Sequence, residues 1–236
     1  TLEREGVELM VVEAPATGTV VALIDSEGER SMISDRQTLD AAAAVDGIEA
    51  DWLHCSGYPL ADDRFGDALA AKLGERLDTM RVSVGGGSLR TDPGPVAIFA
   101  RRVARAHPDL LLLSRDEAAA LLGADEGSTT QQAAALAARQ AGALVVVTAG
   151  AAGSAAAGLG LSVLADAADL GGPVLDATGA GDAYAAALIA ELRKGPWPPA
   201  AAVLQRAMAI ASEQGARVAR AVGAQARVGG EPEPLP

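Results

Sequence analysis

Between residues 51 and 148 short apolar runs alternate with amphipathic stretches of helical length, and this alternation most constrains what the chain can fold into. The spacing predicts strands over Asp51–Ser56, Met80–Val84, Asp109–Leu113 and Leu144–Thr148. Between and after them it predicts helices over Asp62–Leu77, Pro95–Ala106, Arg115–Leu122, Thr130–Ala141, from about Asp182 to Lys194, and over Pro199–Val222. Strands that are apolar on both faces and separated by single helices require right-handed crossovers. The expected fold class is therefore α/β, a mostly parallel sheet covered by helices on both faces, with ligands at the carboxyl ends of its strands.

The first forty residues have a different texture. Thr19–Asp25, the polar turn Ser26-Glu27-Gly28-Glu29 and the returning run Arg30–Ile33 read as a β-hairpin. The expected organisation is a hairpin segment over 1–40, an α/β core over 41–228 and a Pro- and Glu-rich flexible tail over 229–236. The chain opens on Thr1 with no basic-then-apolar leader pattern, which reads as a piece lacking its natural beginning.

Composition excludes some functions. Half of the 236 residues are hydrophobic, enough for a sizeable core, and the formal net charge is -12. Bulk electrostatics of that sign holds neither nucleic acid nor an anionic membrane, so an anionic ligand must be bound locally. The charge-free run from Gln140 to Ala165 is long enough to raise a membrane span, but five glycines interrupt it. Strand, turn, strand is the better reading. The single cysteine, Cys55, sits at a predicted strand end and forms no internal disulfide, which points to a cytoplasmic protein. His54 and His107 share no metal-ligand spacing and read as packing or surface residues.

Asp176-Ala177-Thr178-Gly179-Ala180-Gly181-Asp182 carries the chemistry. Gly179 and Gly181 remove side chains so that backbone N–H groups can converge on an anion at the start of an alanine-rich helix, whose dipole adds to the attraction. Asp182 stands beside that cradle as a carboxylate able to take a proton from an alcohol. It could equally be a first-turn acid satisfying free amides. No Gly-x-x-x-x-Gly-Lys-Ser/Thr occurs, and Tyr184 stands where a dinucleotide-binding turn needs its third glycine.

This stretch resembles the C-terminal signature of the ribokinase-like (PfkB) carbohydrate kinases, and three more segments agree in order. Pro15–Thr19 with Asp25–Arg30 is similar to the family's lid and substrate segment, Ser114-Arg115-Asp116-Glu117 falls where it carries Asn-x-x-Glu, and Val146–Gly153 is similar to its nucleotide-binding strand and turn.

The resemblance implies a three-layer sandwich with a small β lid, transferring phosphate from ATP to an alcohol of a sugar, sugar acid or nucleoside. It implies Asp182 as catalytic base, amides at Gly179, Ala180 and Gly181 as anion hole, and Ser114, Thr148, Gly150 and Gly153 as nucleotide contacts. Glu117 would place Mg²⁺ through water, Asp176 and Thr178 would hold a monovalent cation such as K⁺, and Arg36 would touch substrate. A homodimer through the lid is the implied assembly.

Plainer readings stay open for several residues: a capping box for Ser114 and Glu117, a strand-ending turn for Thr148 and Gly150, a solvated charge for Arg36, an ordinary helix end near Gly223. The chain departs from the family pattern at Ala177, Ser114 and Gly85-Gly86-Gly87, and it has no counterpart of the opening β-α segment. A non-catalytic ligand-sensing or interaction protein on the same fold therefore stands as one alternative, and a dinucleotide-binding oxidoreductase as another.

Overall fold

The computed structural model describes residues 6–11, 16–24, 30–35, 39–76, 78–87, 89, 92–123, 127–221 and 223. Two sheets form. The small one pairs β1 (Thr19–Ile24) antiparallel with β2 (Arg30–Asp35), in a register that sets Thr19 opposite Asp35. The predicted hairpin turn at 25–29 lies outside the described residues, as do Arg36 and the tail over 229–236. Val20, Val21, Leu23 and Ile33 of the small sheet are exposed.

The central sheet runs in sequence order through β3 (Trp52–Cys55), β4 (Arg81–Gly85), β5 (Leu110–Ser114), β6 (Leu144–Thr148), β7 (Ser154–Gly158) and β8 (Leu161–Ala165). Pairing is parallel from β3 to β6 and antiparallel from β6 to β8. The charge-free run is thus a strand and a hairpin that widens the sheet. A short α1 (Ala41–Ala44) leads into β3, and crossovers are made by α2 (Gly57–Ala61), α3 (Gly66–Gly74), α4 (Pro93–Ala106), α5 (Arg115–Leu122) and α6 (Thr129–Arg139). The chain closes with α7 (Ala180–Leu192) and α8 (Ala201–Val218).

Period-two alternation along the inner strands feeds two separate cores. Leu111 and Leu113 of β5 with Val145 and Val147 of β6 pack against Leu69, Phe99, Ala118 and Leu136 of the crossover helices. Leu110, Leu112, Leu144 and Val146 point the other way, onto Leu188 of α7 and Leu204 and Met208 of α8. Helices on both faces make the α/β three-layer sandwich, and no helix of the described residues is long and apolar enough to cross a membrane.

Two helix boundaries differ by four residues from the sequence expectation, the first for a local reason. The helix predicted over 62–77 begins only at Gly66, because Asp62 Oδ1 accepts from the amides of both Arg64 and Phe65 at 2.9 Å and closes a turn there. The last helix ends at Val218, four residues short of its predicted end at Val222, which is itself outside the described residues.

Candidate active site

Helix α7 begins at Gly179, which takes φ 79°, a left-handed conformation that glycine adopts without strain. Ala180 N–H closes a turn on the Ala177 carbonyl at 3.2 Å, and the helical ladder starts with Ala183 N–H on the Gly179 carbonyl at 2.9 Å. The amides of Gly181 and Asp182 therefore come ahead of that ladder, where a helix presents its unspent donors. A Cβ at Gly181 would meet nothing within 4 Å, so space lies open in front of it.

That space is a cleft of about 530 Å³. Thr148, Gly150 and Gly153 line it from the carboxyl end of β6 and the 3₁₀ turn that follows, and Ala180 and Gly181 from the start of α7. The β6–β7 turn depends on glycine: a Cβ at Gly153 would stand 2.3 Å from the Ala165 carbonyl oxygen. Arg220 is the only basic side chain among the described lining residues, and it donates to the Leu170 carbonyl at 2.7 Å. Main-chain amides, the α7 dipole and this guanidinium, which keeps its charge while donating to backbone carbonyls, are the features that suit an anion.

Asp182 follows directly on the cradle and is exposed. Among the described residues its carboxylate accepts no hydrogen bond, so it does not serve as the first-turn cap that the sequence left open. Ser114 and Glu117 do form a reciprocal capping box: Ser114 N–H donates to Glu117 Oε2 at 2.8 Å and Glu117 N–H to Ser114 Oγ at 3.3 Å. Ser114 pairs with Thr148 across the β5–β6 ladder, at the same end of the sheet as the cleft. Thr148 Oγ1 donates to the Leu113 carbonyl at 3.4 Å.

Asp176 acts as a clasp. Its Oδ1 accepts from Thr178 N–H at 2.8 Å and its Oδ2 from Gly223 N–H at 3.1 Å, tying the glycine turn to the chain beyond α8. The structure thus gathers Thr148, Gly150, Gly153, Ala180 and Gly181 around one cleft, with Asp182 next along α7, Ser114 on the neighbouring strand end, Glu117 in the first turn of α5, and Asp176 and Thr178 in the segment that leads into the glycine turn. Arg36 lies outside the described residues.

Several cleft residues escaped the sequence reading. Ser212 Oγ accepts from the amide of Ala168 at 2.8 Å and so fixes the loop after β8. Gly215 lets α8 approach α7 so closely that a Cβ there would lie 3.1 Å from the Ala180 carbonyl oxygen. A glycine inside an alanine-rich helix was the available signal for that contact. Tyr184 lines the cleft and shares a 2.9 Å hydrogen bond with Ser154, and burial pushes its phenol up to about 12. His54, read from sequence as packing or surface, is exposed at the end of β3 within reach of the Asp182 charge.

Among curated proteins none matches this chain. Solved structures do. Fructokinase from Vibrio cholerae O395, with fructose, ADP and calcium bound, is 24% identical, superposes with a TM-score of 0.77, and the match covers 94% of this chain and 74% of that one. Adenosine kinase from Sinorhizobium meliloti is 20% identical, with a TM-score of 0.68 over 89% of this chain and 63% of its own. Ribokinase from Thermotoga maritima is 16% identical, with a TM-score of 0.62 over 88% and 65%. These likenesses establish the ribokinase-like fold. The model of the pfkB family of carbohydrate kinases matches residues 1–228, nearly the whole chain, and with the cleft, the glycine turn and the exposed carboxylate in place, the chain belongs to that family.

Proposed function

We propose that this chain transfers the γ-phosphoryl group of ATP to a hydroxyl of a sugar, sugar acid or nucleoside, with Asp182 as the base. The observation that carries the reading is the exposed Asp182 carboxylate, which accepts no hydrogen bond among the described residues and is placed directly after the amides that open α7. Phosphoryl transfer asks little more of a protein than positioning, charge stabilisation and a proton acceptor. The turn at Gly179, Ala180 and Gly181 binds the charge that develops on the phosphoryl oxygens, chiefly through the Gly181 amide, since Ala180 N–H also closes the turn on the Ala177 carbonyl. Asp182 orients the acceptor hydroxyl and takes its proton as the oxygen attacks. Thr148, Gly150 and Gly153 line the nucleotide's side of the cleft, and Ser114 stands at the phosphate end.

Glu117 fits a role in placing Mg²⁺ through water. Its half-buried side chain has one oxygen held by the Ser114 amide, and no group of three or more His, Cys, Asp or Glu among the described residues could cage a metal alone. One carboxylate suits an ion that keeps its waters and takes its other oxygens from phosphates. When bound, Mg²⁺ would neutralise phosphate charge. Asp176 and the Thr178 carbonyl are the proposed partners of a monovalent cation such as K⁺, and Arg36 is proposed as an acceptor contact. The exposed apolar side chains of the β1–β2 lid support closure over the acceptor and pairing with a second copy. A cytoplasmic setting completes the proposal.

The test is a coupled assay of the full-length protein with ATP and D-fructose, D-ribose or adenosine. Asp182→Asn should lower kcat by about 10² to 10⁴-fold while the ATP KM stays within about twofold. Undiminished turnover in D182N discards the base. ATP binding without transfer to any acceptor in the wild type would leave the ligand-sensing alternative.

A further inference from the structure

His54 is held from one side only. Its Nδ1 lies 2.8 Å from Ser83 Oγ, its direct partner across the β3–β4 ladder, and the same oxygen accepts the indole N–H of Trp52 at 2.9 Å. Ser83 is fully buried. A hydroxyl has one proton and two lone pairs, and an indole can only donate. If His54 also donated to Ser83, both lone pairs would be filled and the buried hydroxyl proton would have no acceptor among these partners, which is costly. The arrangement that satisfies all three groups is Trp52 N–H to Ser83 Oγ and Ser83 O–H to His54 Nδ1. That leaves the imidazole proton on Nε2. Trp52 is itself braced by Trp197, edge to face at 5.5 Å and 87°.

The other edge of the ring is open. Nε2 has no hydrogen-bond partner among the described residues, and it faces Gly85, where a Cβ would stand 3.9 Å away but none exists. Trp52 and His54 share the sheet face that α7 covers, so the ring lies on the same side as Asp182. Desolvation of its inner edge lowers the basicity of His54, and the Asp182 charge, acting the other way, is the smaller effect. At neutral pH the ring is therefore an uncharged donor, and it forms no ion pair with the Asp182 carboxylate.

We propose that His54 is a specificity-determining residue whose Nε2–H donates to an oxygen of the acceptor adjacent to the hydroxyl that Asp182 deprotonates. The inference rests on the kinase reading of Asp182. A fixed donor beside the base selects acceptors with a second oxygen next to the attacked one, such as polyols, furanoses and the ribose of nucleosides, because an acceptor lacking that oxygen strands the N–H. Simple alcohols are excluded by the same logic.

The experiment uses the full-length protein with ATP and D-fructose, D-ribose or adenosine as acceptor probe. For whichever probe is phosphorylated, His54→Ala should raise its KM about tenfold, the loss of one hydrogen bond, with kcat and the ATP KM little changed. His54→Gln, whose amide nitrogen reaches the place of Nε2, should recover most of that loss. Imidazole ¹⁵N spectra should show His54 as the Nε2–H tautomer, a readout that needs no turnover. An acceptor KM unchanged in both H54A and H54Q, or an Nδ1–H tautomer, overturns the proposal. If the wild type turns over, D182N does not, and H54A matches the wild type, His54 alone is discarded. If the wild type phosphorylates no probe, the kinase reading fails and this one with it.

Discussion

Gly86 and the carboxylate of Glu117 are packed so closely that a Cβ on Gly86 would stand within 2.6 Å of both carboxylate oxygens. The loop after β4 thus fixes where the acid at the start of α5 can lie. The obstruction is the far end of a flexible side chain, so Gly86→Ala should fold and push Glu117 aside. The capping box then breaks, at a cost of about 1 kcal/mol. If Glu117 places Mg²⁺, the Mg²⁺ concentration for half-maximal activity rises severalfold. Thermal melts and a Mg²⁺ titration of turnover check the two effects separately.

At the opposite end of the sheet, Asp109 gathers three donors. Its Oδ2 accepts from Arg76 and from the amide of Val82, each at 2.8 Å, and its Oδ1 accepts from Arg81 at 3.1 Å. Asp109→Ala takes the counter-charge from a largely buried Arg76 guanidinium, which keeps its backbone carbonyl acceptors, and strands the buried Val82 amide, and should cost about 3 kcal/mol. Asp109→Asn, which keeps an acceptor oxygen, should cost less. Urea unfolding measures both, and the ATP KM should not move, because the cluster lies far from the cleft end of the strands.

Tyr184 gives the fold an alkaline limit. Burial, opposed by the Ser154 hydrogen bond, holds its phenol up to about 12, against about 10 for an unfolded tyrosine. The folded state binds this proton more tightly, so the contribution is complete below about pH 10 and is lost as pH rises towards 12. Tyr184→Phe should lose about 1 kcal/mol at neutral pH by leaving Ser154 unpartnered. It should then fall less steeply than wild type across that alkaline window, as denaturant midpoints against pH would show.

The inner strands were legible because their signal is strong and local. Leu110–Leu113 and Leu144–Val147 are apolar on both faces and bounded by polar residues, and β5, β6 and α5 lie within one residue of where the sequence places them. The Gly179–Asp182 turn was legible because glycines at a helix start have a backbone purpose. The helix break at Asp62 was not, since it depends on one carboxylate choosing two amides over solvent. His54 was missed for a related reason. Its setting is made by Ser83 and Gly85, about thirty residues away on the neighbouring strand, and no periodicity within β3 encodes that pairing.

Where the loops after β3 and β4 cross, glycine meets glycine: a Cβ on Gly57 would stand 2.4 Å from the Gly85 carbonyl oxygen, and one on Gly87 2.6 Å from Gly57. Gly86 in turn touches Glu117. Main-chain contacts therefore link the strand end that carries His54 to the loop at Gly86, and the Glu117 carboxylate on α5 rests against that loop. A bulky residue at Gly57 or Gly87, where only backbone is met, would therefore shift the strand end beside His54 together with the loop that bounds Glu117.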